Sequence, residues 1–234
     1  FHDAPLTQLI EQALSDNVNL RVVAEKLEET KALARQAGAP LVPTLDGRGS
    51  VSSSRNHSTD DSTDNFLLGL AASYEVDFWG RLRARSDAAL LDVGASLEDY
   101  HTAALSLAAE VAITWYQFVE SNLQLRLLNS QKETNTQVLE LISMQFRSGQ
   151  AGIADVLQQR QLVESNISDM AALRANIYVL KHRMAILLGA LPGKHDLPSP
   201  ERLPDPAPLP STGIPLDLLA RRPDIRASYL KLKA

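Results

Sequence analysis

Cysteine is absent from this 234-residue chain, which excludes disulfides and Cys-ligated metals and leaves the redox compartment open. No stretch approaches the ~18 uninterrupted apolar residues of a membrane-spanning helix, so a membrane role requires a β-barrel or an anchor. Basic residues are not in excess: 23 Lys and Arg stand against 28 Asp and Glu, for a net charge of -5 and a pI near 5.6. That balance gives no footprint for nucleic acid. Charged residues are interspersed, without an acidic or basic tail. The first residue is Phe with no apolar leader before it, so any targeting peptide is expected to lie outside this sequence. Catalytic groupings are missing as well. His2, His57, His101, His182 and His195 are scattered, with no metal-ligand spacing and no Ser or Cys nucleophile signature, so no enzyme activity, cofactor or metal is expected.

Proline is absent between Pro43 and Pro192, whereas eight of the 12 prolines fall between 192 and 215. The proline-rich part, taken as 191–213, reads as an extended linker. The proline-free part is mostly helical. From Arg81 to Arg147 the only strong breaker is Gly94, and apolar residues recur every seven positions at Leu97, Ala104, Val111, Phe118 and Leu125, then at Leu139 and Phe146. A companion row holds Tyr100, Leu107, Leu128 and Ile142, with polar Thr114, Ser121 and Asn135 between. This is a coiled-coil seam diluted with polar residues. At ~1.5 Å per residue such a helix spans roughly 100 Å.

A second helix is expected from about Asp155 to Leu188, with the row Val156, Val163, Met170, Ile177 and Met184, and Gly189 at its C-terminal cap. Only SGQAG, residues 148–152, separates the two, which predicts an antiparallel helical hairpin. The segment from about Thr7 to Ala37 is predicted to be one further helix, closed by Gly38 and Pro40. Helices of this kind are equally compatible with a soluble coiled-coil bundle.

Residues 44–80 break the helical pattern. Phe66, Leu68, Leu70, Ala72, Tyr74, Val76 and Phe78 alternate with Leu67, Gly69, Ala71, Ser73, Glu75 and Asp77, a strand signal. TLDGRGSVSSSRN before it alternates more weakly, and a polar loop, 57–64, lies between. The expected hairpin has arms long enough to cross a bilayer as tilted strands of ~9–11 residues. Its apolar face would meet lipid and its small polar face water; the other possibility is a soluble hairpin packed on the helices. A lone hairpin leaves unsatisfied edges in lipid, so the membrane arrangement requires more strands. Asn19-Leu20-Arg21 aligns with Asp224-Ile225-Arg226, and this offset places Asn17 on Arg222, so a second repeat is expected to begin near residue 214.

Five segments in order resemble one family: ALSDNVNLR near the start, SYEVDFWGRLR at the strand-to-helix junction, FRSGQAGIADVLQQRQ at the helical turn, LLGALPG, and LLARRPDIRAS. Together they resemble the TolC-like outer-membrane efflux proteins, in the branch of NodT-type and OprM-type lipoproteins. The resemblance implies a mainly α fold: long antiparallel coiled-coil helices of a periplasmic α-barrel, plus two transmembrane β-strands of a trimeric outer-membrane β-barrel. It divides the chain into an N-terminal tunnel helix (1–43), a barrel hairpin (44–80), a periplasmic helical hairpin (81–190, tip 148–154), the linker (191–213) and the start of the second repeat (214–234). It also implies the outer membrane of a Gram-negative bacterium, a homotrimer, outer-membrane lipid, a periplasmic adaptor protein and an inner-membrane transporter, with passive export as the activity. A soluble periplasmic coiled-coil adaptor or scaffold is the alternative.

The resemblance assigns roles residue by residue. Gly149, Gln150, Ala151, Gly152 and Ile153 form the adaptor-docking tip, with Gln150 where the family commonly has Leu. Asp155 matches a carboxylate that helps hold the channel shut; as an acidic residue in a first helical turn it is equally placed to cap the helix. Phe78, Trp79 and Gly80 form the membrane-interface junction, with Arg81, Arg83 and Arg85 below the lipid. Two departures are one repeat where the family has two, and no lipidated Cys.

Overall fold

The computed structural model describes residues 3–56, 61–193, 197–198, 202–203 and 221–234. The expected loop tip at 57–60, most of the proline-rich linker and residues 214–220 lie outside the described residues. In chain order the elements are α1 (Ala4–Asp16), α2 (Val18–Gly38), a 3₁₀ turn at Ala39–Leu41, β1 (Thr44–Asn56), β2 (Asp61–Ser73), α3 (Arg81–Arg147), α4 (Ile153–Leu187) and α5 (Pro223–Lys233). The chain is thus mainly helical with one antiparallel hairpin. It divides into two compact units, Phe1–Val22 with Ala103–Thr212, and Val23–Thr102 with Gly213–Ala234.

In the first unit the C-terminal two thirds of α3 lies against α4. Leu107, Val111, Thr114, Phe118 and Ser121 are buried, the alternating four- and three-residue spacing of a coiled-coil seam. On α4 the whole row Val156, Val163, Met170, Ile177 and Met184 is buried, as its seven-residue spacing predicts. Gln159 Nε2 donates to the Asn135 carbonyl (3.0 Å), Asn176 Nδ2 to Ser121 Oγ (3.4 Å) and Arg183 Nη2 to Glu110 Oε1 (2.9 Å). Partners fall in number along α3 as they rise along α4, so the pair is antiparallel. Each fully buried aliphatic side chain contributes about 1.5–3 kcal/mol. The seam frays toward the tip, where Phe146, expected in the row, is 42% exposed.

Residues 7–37 do not form one helix. Asn17 adopts extended backbone angles (φ -64°, ψ 122°) and splits the segment into α1 and α2. Its Oδ1 accepts from the Leu20 amide at 2.9 Å, capping α2. Its Nδ2 donates to the Leu187 carbonyl at 2.9 Å, a group at the C-terminus of α4 with no helical partner. The break is therefore imposed by a residue far along the chain. The core-facing row survives it: Leu6, Ala13, Leu20, Leu27 and Ala34 are all buried at intervals of seven. Asp3 caps α1 by accepting from the Leu6 amide (3.1 Å), and its second oxygen accepts from Trp115 Nε1 (3.0 Å). Trp115 is completely buried, with its ring 6.0 Å from that of Phe118.

The end of α4 closes on this break. Gly189 (φ 66°) donates to the Ile186 carbonyl and Ala190 to the Ala185 carbonyl, the paired bonds of a Schellman motif. A Cβ at Gly189 would stand 2.2 Å from the Asp16 carbonyl oxygen, so the backbone of α1 occupies the place of a side chain.

The second unit contains the hairpin, most of α2, the first turns of α3 and α5. Helix α5 begins after Arg222, whose backbone is extended (φ -78°, ψ 119°), as α2 begins after Asn17. The expected alignment of the two segments therefore coincides with two helix starts. A Cβ at Gly94 would come within 3.3 Å of Leu230 Cδ1 of α5, so the one helix-breaking residue of α3 marks a close helix contact. Leu97, expected in the seam, is 41% exposed; the neighbouring Glu98 is buried instead, with its carboxylate on Arg226 of α5. A strict seven-residue row drifts around a straight helix of 3.6 residues per turn, so the buried face of so long a helix does not stay in one phase.

The hairpin pairs Thr44 with Ser73 through Asn56 with Asp61. Residues 61–64, expected in the loop, belong to β2. The alternation through Tyr74, Val76 and Phe78 does not continue as strand: β2 stops at Ser73. The residue that would pair with Tyr74 is Pro43, which has no amide hydrogen, so the ladder ends there.

Candidate functional site

Two faces of the hairpin follow from its register. Leu45 lies opposite Ala72, Gly47 opposite Leu70, Gly49 opposite Leu68 and Val51 opposite Phe66, all on one face. The leucines fill the space the glycines leave: Cβ atoms at Gly47 and Gly49 would sit 3.7 Å from Leu70 and 3.9 Å from Leu68. From Leu45 and Ala72 to Val51 and Phe66 this face carries only apolar residues, before Ser53 and Asp64 follow on it, yet Leu68 is 92% exposed. The opposite face pairs Asp46 with Ala71, Arg48 with Gly69, Ser50 with Leu67 and Ser52 with Asn65. It is small and polar.

The expected junction residues Phe78 and Trp79 are almost fully exposed, and Gly80 has φ 71°. Sequence reading missed the residue that organises this turn. The Asp77 carboxylate accepts from the amides of Leu82 (3.2 Å) and Arg83 (3.0 Å), groups of the first turn of α3 with no helical partner. Glu75 Oε1 accepts from Arg81 Nη2 at 2.6 Å, so Arg81, expected below the lipid, is tied back to the strand exit. The sequence carried only a weak signal, an Asp three residues before Gly80 and outside the usual N-cap position.

The bond from the Arg83 amide, reinforced by that from Leu82, holds the Asp77 carboxyl below the usual carboxylate range. A folded-state value below the unfolded one stabilises the turn above about pH 4 and is lost as pH falls through the lower, folded value. Asp77→Ala should therefore make the Leu82 and Arg83 amides exchange with solvent several-fold faster at neutral pH. Hydrogen exchange should show the native and variant rates converging as pH falls through the lower, folded value.

At the other end of α3, Gly149 (φ 76°) donates to the Phe146 carbonyl and Gln150 to the Gln145 carbonyl, a second Schellman motif. Ala151 is half-buried, Gly152 is the extended N-cap of α4, and Ile153, its first residue, is 54% exposed. Asp155 Oδ2 accepts from the Gly152 amide at 3.0 Å, so the capping role expected for it is formed. The structure thus gathers the tip residues 149–155 into one turn and the junction residues 75–83 into another. The 67 residues of α3 separate them along the chain. Among the described residues no group of three or more His, Asp or Glu is placed to hold a metal ion, and no helix is long and apolar enough to cross a membrane.

These features have close counterparts. The pyoverdine export outer membrane protein OpmQ of Pseudomonas putida is 34% identical over 247 aligned residues, covering 100% of this chain and 52% of that protein. The toluene efflux pump outer membrane protein TtgF of Pseudomonas putida is 33% identical, with 100% and 50% covered. A solved structure of CusC, from work on its folding and transmembrane channel formation, superposes with a TM-score of 0.89 at 28% identity, over 100% of this chain and 55% of that one. The chain spans about half the length of the curated relatives it matches. The model of the family described as outer membrane efflux protein matches residues 9–190, and the chain belongs to that family.

Proposed function

We propose that this chain supplies one repeat of the outer-membrane duct of an efflux pump, through which small molecules leave a Gram-negative cell passively. The observation that carries this is the hairpin: an exposed apolar band of four cross-strand pairs, from Leu45 with Ala72 to Val51 with Phe66, backed by a mostly small or polar face in register. A water-soluble protein gains nothing by exposing such a face, whereas a barrel wall needs lipid on one side and water on the other. Further strands from a second repeat and from two other copies in a homotrimer close the barrel and remove its edges. The helices continue the bore into the periplasm. Phe78 and Trp79 sit at the lipid–water interface, where aromatic side chains are favoured.

Tip residues Gly149 to Ile153 dock the periplasmic adaptor, which joins the duct to an inner-membrane transporter. Transport energy comes from that transporter; the duct itself catalyses nothing and needs no cofactor. Relatives similar to this chain are named for pyoverdine, toluene and cations; in this reading cargo choice resides mostly in the partners.

Asp155 has a second role at the tip, contributing its charge to the polar links between protomers that keep the resting channel closed. Asp155→Asn separates that role from capping, because the amide oxygen still accepts from Gly152. In planar bilayers the intact native protein should form conducting trimers of low resting conductance, and Asp155→Asn should raise it with unchanged thermal stability. An intact protein that partitions into the aqueous phase and never conducts would instead be a soluble adaptor or scaffold. Unchanged conductance in Asp155→Asn would leave the residue a helix cap alone.

A further inference from the structure

The polar face of the hairpin carries charge at only two of its described side chains, Asp46 and Arg48. They are two residues apart on β1, which places them on the same face about 7 Å apart along the strand. Both are exposed, and among the described residues neither lies within ion-pair distance of an opposite charge. Their cross-strand partners give no cover. Asp46 faces Ala71, and Arg48 faces Gly69, where an added Cβ would meet nothing within 4 Å. The next pairs on this face, Ser50 with Leu67 and Ser52 with Asn65, carry no charge.

We propose that Asp46 and Arg48 form a two-layer charge collar on the bore side of the barrel and balance its preference between cations and anions. This rests on the duct assignment above, in which that face lines water and is repeated around the barrel by the other copies. Each copy then adds one carboxylate to one layer and one guanidinium to the next. A layer of carboxylates favours cations and a layer of guanidinium groups favours anions. Stacked in series they oppose one another, so the pair holds the local potential near neutral and lets cargo of either sign pass. The bare glycine opposite Arg48 keeps the guanidinium in the water rather than folded onto a neighbouring side chain.

The test is the reversal potential of the intact protein in planar bilayers across a potassium chloride gradient, for native, Arg48→Ser, Asp46→Ser and the double variant. Serine already occupies positions 50 and 52 of the same face, so the replacement suits the strand. Arg48→Ser should raise the potassium-to-chloride permeability ratio about twofold and Asp46→Ser lower it about twofold, with the double variant back near the native ratio. Both shifts should be largest near 0.01 M salt, where the screening length is ~30 Å, and vanish near 1 M, where it is ~3 Å. Shifts in the same direction, or conducting channels whose ratio none of the variants moves, overturn the collar and leave the duct intact. A native protein that never conducts overturns both.

Discussion

Gly189→Ala should be the most damaging glycine-to-alanine substitution among the described residues, with a loss of about 3–5 kcal/mol in unfolding free energy. Two independent costs meet at this residue. Its backbone lies at φ 66°, where an L side chain costs about 1–2 kcal/mol. An added methyl would also fall 2.2 Å from the Asp16 carbonyl oxygen and 2.9 Å from its carbon, so the end of α1 would have to move. That movement would strain the bond from Asn17 to the Leu187 carbonyl and the start of α2 that Asn17 caps. Two other glycines serve as controls. Gly149 (φ 76°) and Gly193 (φ 87°) share the backbone conformation but have nothing within 4 Å of an added Cβ. Their alanine variants should lose only the conformational part, about 1–2 kcal/mol. Guanidinium unfolding followed by circular dichroism reads all three, and equal losses would show that the close approach of α1 contributes nothing.

Trp115→Ala should cost about 3–5 kcal/mol, the range for emptying a fully enclosed aromatic site. The indole is completely buried beside Phe118 and donates to Asp3, which also holds the first turn of α1. Trp115→Phe separates the two contributions: most of the volume stays, but one Asp3 oxygen loses its donor at a cost of about 1–3 kcal/mol. In the phenylalanine variant, Asp3→Ala should then add little beyond the lost helix cap, about 1 kcal/mol. Strict additivity in that double-mutant cycle would mean that the Trp115–Asp3 bond carries no coupling.

How far the sequence sufficed differs between elements for physical reasons. The limits of α3 were legible to the residue, because SGQAG closes it and SYEVDFWG precedes it, and between them only Gly94 opposes helix. The α4 row was equally plain, since every seventh residue is a large aliphatic. The break at Asn17 was not, because ALSDNVNLR holds neither Gly nor Pro and the break answers to the carbonyl of Leu187. The end of β2 was misplaced because alternation records one strand's own pattern, while a ladder also needs donors from its partner, and Pro43 has none. Glu98 was invisible as a buried carboxylate, because its counter-charge, Arg226, lies far along the chain in α5. At the candidate site, family motifs located the turns, yet the Asp77 cap emerged only once the first turn of α3 stood beside it.

The antiparallel pairing of α3 and α4 also has a consequence for the order of biogenesis. Its contacts are local in sequence near the tip and widen steadily away from it, so the pair can zip from the 148–152 turn without any other copy of the chain. The hairpin can form its own ladder but has nothing of its own to cover its apolar face or its two edges. A newly exported chain would thus hold α3 and α4 already paired while its strand pair still needs shelter. Shelter would be needed mainly for the two 13-residue strands, and, on the duct proposal, insertion into the barrel would be the step that waits for company.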